Sequence, residues 1–261
     1  MLLAVDAGNT ETVIGLFALD GDGELLDHWR VSTNAERTSD EMALLVQEFL
    51  AFHGFSFDTD IAGLVVSSGV PRVTAALREM SERYFGFPAV VLEAGVKTGL
   101  PILYDNPREV AADRIATAVA ALDRYEPPIV VVDLSGTATI FDAITDKREY
   151  AGGVIVPGIE VGLDALVGRA AMLRRVELVE PRAVVGRSTV ESIQSGVVHG
   201  YGAMVDGLVE RIEGEIGDAV VVATGSMSEL MAPFCSTVEH VEPWLTLTGL
   251  RLVFEKNRPR S

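Results

Sequence analysis

The sequence predicts an α/β protein built from two similar halves, and three observations predict it. Apolar runs of strand length alternate with segments of helical period, the texture of α/β layering. A motif near the N-terminus returns half a chain later. The composition is that of a folded globular chain: 261 residues, 48% hydrophobic and 23% charged. That balance sets aside the disordered, collagen-like and coiled-coil classes. The length suits one large domain or two smaller ones of roughly 150 residues each. A chain of this size buries roughly three-quarters of the surface its unfolded form exposes.

The elements follow in order. An apolar run over residues 1–5 ends at Asp6, Ala7-Gly8-Asn9-Thr10-Glu11-Thr12 makes a glycine-containing turn, and a second apolar run covers 13–17. This reads as two strands joined by a turn. Asp20-Gly21-Asp22-Gly23 then leads to a third strand over 25–31. Thr38-Ser39-Asp40-Glu41 opens a helix whose apolar positions Met42, Leu45, Val46, Phe49 and Leu50 keep the 3.6-residue period. A buried strand over 61–68, a helix over 73–85 and a strand over 89–92 complete the first half. In the second half strands are expected at 129–132, 140–144 and 219–223, with one long helix or two over 190–212.

The echo is specific. Ala4-Val5-Asp6-Ala7-Gly8-Asn9-Thr10-Glu11-Thr12-Val13-Ile14 and Val131-Val132-Asp133-Leu134-Ser135-Gly136-Thr137-Ala138-Thr139-Ile140-Phe141 share one plan: apolar strand, Asp, short Gly/Thr turn, apolar strand. A duplication, with domains at 1–125 and 126–261 and a ligand cleft between them, is the simplest account.

Charge and cysteine bound the partners. Lys and Arg number 21 and Asp and Glu 38, a net charge of −17. That field repels a phosphate backbone, so nucleic acid is not an expected partner. The one cationic cluster, Lys256, Arg258 and Arg260, reads as a solvated tail. Cys235 stands alone, which excludes an intrachain disulfide and a cysteine-rich zinc site. Asp6 interrupts the first apolar stretch, so no signal peptide is expected, and no run reaches the ~20 apolar residues of a membrane helix. A cytoplasmic protein without membrane contact is the expectation.

The two echoed turns can do chemistry. An Asp at a strand end can hold a cation or its water shell. A following Gly allows close backbone approach to a phosphate, successive turn amides cradle the anion, and Thr hydroxyls add donors. Two such turns can grip a polyphosphate and its cation, and phosphoryl transfer needs little beyond that grip and a base. Each turn alone reads first as ordinary hairpin chemistry; the Asp kept in both turns favours function. Val220-Val221-Val222-Ala223-Thr224-Gly225-Ser226, a strand into a small-residue turn, can take the nucleoside end. For the base, Tyr104-Asp105-Asn106-Pro107-Arg108-Glu109-Val110-Ala111-Ala112-Asp113-Arg114 stands out. Pro107 suits a first helical turn, which predicts Glu109 and Asp113 on one helix face with Arg114 about 100° round. A carboxylate there can accept a hydroxyl proton, and an arginine can fork onto a substrate carboxylate. A solvated salt-bridge pattern is the competing reading. His28, His53, His199 and His240 lack metal-ligand spacing, Ser195 lacks a nucleophile-elbow context, and Walker-type and Rossmann glycine patterns are absent. Trp29, Trp244 and His199 read as packing residues.

Taken together, these motifs resemble the type III pantothenate kinase family, within the actin/Hsp70/sugar-kinase superfamily. The resemblance spans essentially the whole chain. It rests on Asp6 to Thr12, on Asp105 to Arg114, and on Gly152-Gly153-Val154-Ile155-Val156-Pro157-Gly158. Val185-Gly186-Arg187-Ser188-Thr189, Gln194-Ser195-Gly196 and Leu245-Thr246-Leu247-Thr248-Gly249-Leu250 add to it. It implies duplicated ribonuclease H-like domains with a nucleotide cleft between them, and ATP-dependent phosphorylation of pantothenate to 4′-phosphopantothenate, the first step of coenzyme A synthesis. It implies Asp113 as general base, and Tyr104, Ala111, Ala112 and Arg114 lining the pantothenate site. Thr189 would reach pantothenate across a homodimer interface. Asp6, Ala7, Gly8, Asn9, Thr10, Glu11, Thr12 and Val13 would bind ATP, with Asp6 near magnesium. Gly136 and Thr137 would also contact ATP, and Asp133 would hold a monovalent cation, potassium or ammonium. The chain departs from the family pattern at four positions. Ser135 is an extra residue in the second turn, Ala111 and Ser226 stand for glycines, and Glu11 stands for an asparagine. A binding or regulatory protein on the same fold, or another small-molecule kinase of the superfamily, are the alternatives these departures keep open.

Overall fold

In a computed structural model, residues 1–19, 21–170 and 172–258 are described. Asp20, in the expected turn before the third strand, and Arg260, in the expected cationic tail, lie outside the described residues.

The chain forms two compact units, residues 1–100, 106–120 and 246–261 in the first and 101–105 and 121–245 in the second. The first unit holds a five-stranded sheet in the order β3-β2-β1-β4-β5. Its strands are β1 (Leu2–Ala7), β2 (Glu11–Phe17), β3 (Leu25–Ser32), β4 (Gly63–Ser68) and β5 (Val90–Val91). β1 pairs antiparallel with β2 and parallel with β4. β1 is apolar without alternation because it is the central strand and is covered on both faces; Leu2, Leu3, Ala4 and Val5 have no exposed surface. Helix α1 (Ser39–Phe52) starts where expected. The Thr38 hydroxyl accepts the Glu41 N–H at 3.3 Å and the Glu41 carboxylate accepts the Thr38 N–H at 2.8 Å, a reciprocal cap. Met42, Val46 and Leu50 of α1 join Leu3, Val5 and Ile14 in one core. The expected helix over 73–85 is α2 (Pro71–Met80) followed by a π-helical turn, Ser81–Phe85, which Gly86 ends at φ +73°.

The second unit repeats that topology. Its sheet runs β10-β9-β6-β7-β8, from β6 (Ile129–Asp133), β7 (Ala138–Ile144), β8 (Tyr150–Pro157), β9 (Val220–Thr224) and β10 (His240–Val241). β6 pairs antiparallel with β7 and parallel with β9, as β1 does with β2 and β4. The register repeats as well: Asp6 pairs with Val13 and Asp133 with Ile140, the same separation in both turns. The remaining helices of the chain are α3 (Ala112–Arg124), α4 (Ile159–Arg169), α5 (Thr189–Ile216), α6 (Ser228–Met231) and α7 (Leu245–Asn257); α3 up to residue 120 and α7 from residue 246 belong to the first unit. α5 is one helix, despite glycines at 196, 200, 202, 207 and 214. Gly202 lies against the Phe234 backbone, where a side chain would not fit. His199 packs edge-on to Phe234 and Trp29 stacks on Phe49. Lys256 is not a free tail residue: its ammonium donates to the Thr98 carbonyl at 2.6 Å. Among the described residues no helix is long and apolar enough to cross a membrane.

Candidate active site

Within the first unit, the turn after β1 is a tight hairpin. Gly8 N–H donates to the Glu11 carbonyl at 3.0 Å, and a Cβ on Gly8 would crowd that same oxygen at 3.2 Å. Thr33, at the end of β3, secures the turn. Its hydroxyl donates to the Gly8 carbonyl at 2.8 Å and its N–H to the Thr10 carbonyl at 2.9 Å. The Thr12 and Thr33 hydroxyls are 2.8 Å apart. Each hydroxyl has one proton, so Thr12 donates to Thr33 in that pair. Asn9, Thr10 and Glu11 form the exposed tip, Asp6 is half-buried, and Thr12 is buried. The Glu11 carboxylate lies 3.7 Å from Arg30, a cation that offsets the charge Glu11 brings to the tip. Thr33 was invisible in the sequence, because only β2–β3 pairing brings it back to the turn.

The base motif departs from its expected shape. Pro107–Glu109 is a separate 3-10 turn capped by Asn106, Val110 is extended at φ −74°, ψ 118°, and α3 begins only at Ala112. Glu109 and Asp113 therefore do not share a helix face. The Glu109 side chain instead accepts from Asn106 Nδ2 at 2.8 Å. The reason is Val110: its buried side chain holds an extended backbone that stops the first turn propagating. Asp113 sits in the first turn of α3, half-buried, and its Oδ1 accepts the Arg114 N–H at 2.8 Å, which fixes the carboxylate rotamer. An acidic group there is also favoured by the helix dipole. Arg114 is 6% exposed, Ala112 half-buried and Ala111 exposed.

In the second unit three motifs far apart in sequence converge. The β6–β7 turn carries Asp133, Ser135, Gly136 and Thr137. The Ser135 hydroxyl donates to Asp133 Oδ1 at 2.5 Å, which ties Ser135 into the turn. Leu134 is buried and extends the ladder to β9 through its N–H to the Thr224 carbonyl at 2.9 Å. Gly225 follows β9 at φ +91°, and a Cβ there would stand 2.5 Å from Asp133 Oδ1 and 2.7 Å from Ser135 Cβ. Gly158, last of the mid-chain glycine motif, donates its N–H to the Thr137 carbonyl at 2.9 Å. A Cβ on Gly158 would stand 2.5 Å from the Gly136 carbonyl oxygen. Gly136 is left-handed at φ +65°, and with Thr137 it forms the exposed tip. The Tyr201 hydroxyl braces the bend at Gly158, sharing its one proton between the Pro157 and Gly158 carbonyls, each at 3.1 Å; burial raises its pKa.

Tyr104 has a built setting in the same unit. Tyr150, fully buried, donates its hydroxyl to the buried Asp142 carboxylate at 2.7 Å. Its backbone brackets the segment ahead of Tyr104: Tyr150 N–H to the Pro101 carbonyl and Leu103 N–H to the Tyr150 carbonyl, each 2.9 Å. The Tyr104 ring lies 6.4 Å from that of Tyr150 and passes over Gly152, which is left without a side chain at φ +135°. Neither Tyr150 nor Asp142 carried a sequence signal. Thr189 is exposed in the first turn of α5, after the cap that Ser188 makes to the Glu191 N–H at 3.2 Å. Ser195 is not an exposed nucleophile; it is buried and donates to the Val184 carbonyl at 2.5 Å. Cys235 is buried with its thiol pKa pushed up to about 12 by burial. Among the described residues no cluster of three His, Cys, Asp or Glu could hold a metal.

Each unit carries an Asp-ended hairpin; the first also holds a helix-borne carboxylate and the second a glycine-lined turn, parts of the kind that phosphoryl transfer uses. Comparison with known proteins agrees. A family model described as type III pantothenate kinase matches residues 2–211. A type III pantothenate kinase of Streptomyces griseus is 49% identical over 100% of both chains. That of Thermobifida fusca is 48% identical over 98% of this chain and 100% of its own. That of Geobacter sulfurreducens is 46% identical over 99% and 100%. Among solved structures, a protein described as a Baf family transcriptional activator from Campylobacter jejuni superposes with a TM-score of 0.60 at 17% identity, covering 98% of both chains. The Acidaminococcus fermentans (R)-2-hydroxyglutaryl-CoA dehydratase component A gives 0.56 at 14% identity, covering 98% of this chain and 99% of that one. These likenesses show the fold alone: the chain folds as those two proteins do.

Proposed function

The chain belongs to the type III pantothenate kinase family, and from that premise we infer that it transfers the γ-phosphate of ATP to pantothenate, giving 4′-phosphopantothenate for coenzyme A synthesis. The observation that carries this reading is near-half identity to curated type III pantothenate kinases over the whole of both chains.

The roles of the residues are our proposal. Asp113 accepts the proton of the pantothenate hydroxyl as its oxygen bonds to the γ-phosphorus and ADP departs. A carboxylate held in one rotamer by a backbone N–H is already oriented for that step. Arg114, beside it, would pair with the pantothenate carboxylate, while Tyr104, Ala111 and Ala112 line the substrate. The tip after β1, Asp6 to Val13, would take ATP phosphates, and Gly136 and Thr137 would contact the same nucleotide. Asp6 offers the hard oxygen donor that magnesium prefers. Asp133 offers carboxylate oxygens of the kind that would hold potassium or ammonium, and the Ser135 hydroxyl, donating to Oδ1, competes for one of them. Bound cations would neutralise charge on the phosphates; the protein's own part is to hold substrates in line and take the proton.

We propose a homodimer in which Thr189 serves the partner's pantothenate. The support is a run of exposed apolar side chains beside it, Val184, Val185 and Val190, at 68%, 81% and 50% exposure. A cytoplasmic location belongs to the same reading, since ATP is the cosubstrate. Initial rates of ADP release, with pantothenate or a sugar as acceptor, test the function. Release that depends on pantothenate is expected. Release with the sugar and none with pantothenate would assign the chain to another acceptor class.

A further inference from the structure

We propose that the C-terminal helix α7 is the positioning element for the base, acting through Thr246 and Gly249. This rests on the reading of Asp113 as general base. The Leu245-Thr246-Leu247-Thr248-Gly249-Leu250 motif has no other part in the chemistry, and the structure puts two of its residues on α3 beside Asp113.

The first contact is a hydroxyl relay. Thr117, one turn beyond Asp113 and buried, donates its hydroxyl proton to the Asp113 carbonyl at 2.8 Å. Thr117 Oγ1 lies 2.9 Å from Thr246 Oγ1. Thr117 has spent its only proton, so Thr246 is the donor in that pair. The order is therefore Thr246 to Thr117 to the peptide carbonyl of Asp113, and each bond polarises the next. A threonine that bonds back to the carbonyl four residues earlier also bends a helix slightly. The relay thus sets the backbone angle from which the Asp113 carboxylate projects, while the Arg114 N–H sets its rotamer.

The second contact is steric. Gly249 lies against the Ala116 backbone so closely that a Cβ would fall deep inside the Ala116 carbonyl group, and even Ala116 Cα would be 3.0 Å away. Only glycine lets α7 meet the α3 backbone at the residue next to Thr117. Thr246 and Gly249 are one turn apart and face the same stretch of α3. A pure packing helix would need the small residue alone. The hydroxyl pair next to it, directed at the carbonyl of the base itself, is what points to positioning.

The test is kinetic. Thr246→Val keeps the shape and removes the donor, whereas Thr246→Ser keeps the donor. Loss of alignment at the base predicts that Thr246→Val lowers kcat by about tenfold, since misplacement by about 1 Å can cost roughly a hundredfold. KM for ATP and for pantothenate should stay near wild type, and Thr246→Ser should restore kcat. Thr117→Val should lose about as much, and the double variant should be no worse than either single one. If Thr246→Val does not fold, Thr117→Val and its Thr117→Ser rescue are read in the same way. A folded Thr246→Val variant with wild-type kcat overturns the proposal, as does a multiplied loss in the double variant. Asp113→Asn, run alongside, separates the two readings. If it keeps the wild-type rate, the base assignment itself fails; if it is inactive while Thr246→Val is normal, only the positioning role fails.

Discussion

Gly158→Ala probes the second turn with a single methyl group. The backbone of Gly158, φ −64° and ψ 156°, is open to any residue, so alanine adds no conformational strain. The added Cβ would lie 2.5 Å from the Gly136 carbonyl oxygen, 2.9 Å from the Thr137 carbonyl carbon and 3.1 Å from the Ala138 nitrogen. Ordinary contact starts near 3.4 Å, so the Gly136 carbonyl must retreat by 3.4 − 2.5, about 0.9 Å. Asp133 is held by its pairing with Ile140, so the tip moves and the strand end does not. A shift of about 1 Å in a group that positions substrate costs up to about a hundredfold in rate, or about 2.7 kcal/mol. Because the tip is exposed, the stability cost should sit at the low end of the ~1–3 kcal/mol typical of overpacking. Initial rates against ATP concentration, with circular-dichroism melts, measure both. Gly168→Ala is the control: that site in α4 has open space around it, and both rate and fold should be kept. A folded Gly158→Ala protein with unchanged kcat/KM for ATP would refute the placing of nucleotide at this turn.

Two further outcomes are expected. The Asp206 carboxylate on α5 accepts the N–H and hydroxyl of Ser236 at 3.0 and 2.7 Å, and those of Thr237 at 3.0 and 2.9 Å. Partial burial raises its pKa, but these bonds outweigh that and leave it below the ordinary 3.8. Its stabilisation is thus whole above that ordinary value and fades as pH falls through the lowered one. Asp206→Asn should cost about 1 kcal/mol at neutral pH, allowing for solvent, and the gap in Tm should close below pH 4; a gap that persists unchanged at pH 3 contradicts the assignment. Ser135→Ala withdraws the hydroxyl bonded to Asp133, so a monovalent cation meets less competition there. The potassium concentration for half-maximal rate should fall several-fold, and an unchanged potassium curve would count against Asp133 as the cation ligand.

How much of this was legible in the sequence depends on the range of the interaction. The strand after Met1, the Thr38–Glu41 cap and the echoed Asp6 and Asp133 turns all rest on contacts between near neighbours, and they appear where the residues place them. The glycines of α5 left one helix or two undecided, because a glycine reads as a break unless its partner is known. The Phe234 backbone that Gly202 meets is more than thirty residues away. The helix face shared by Glu109 and Asp113 failed for a similar reason. Pro107 and the spacing satisfy a helix locally, but the burial of Val110 decides against it. Thr33 at the first turn, Tyr150 behind Tyr104, and Thr246 beside Thr117 are ordinary residues until the sheet and helices bring them in. Those are the parts of the candidate site that only coordinates can supply.

The most direct test of the account is transfer of labelled γ-phosphate from ATP to pantothenate by the purified chain, with Asp113→Asn assayed beside it and ATP binding measured for both. The account predicts labelled phosphopantothenate from the wild type. It predicts a loss of about 10²–10⁴ in kcat for the variant, with ATP binding kept. A folded wild-type protein that leaves pantothenate unlabelled, or an Asp113→Asn variant that turns over at the wild-type rate, would contradict it.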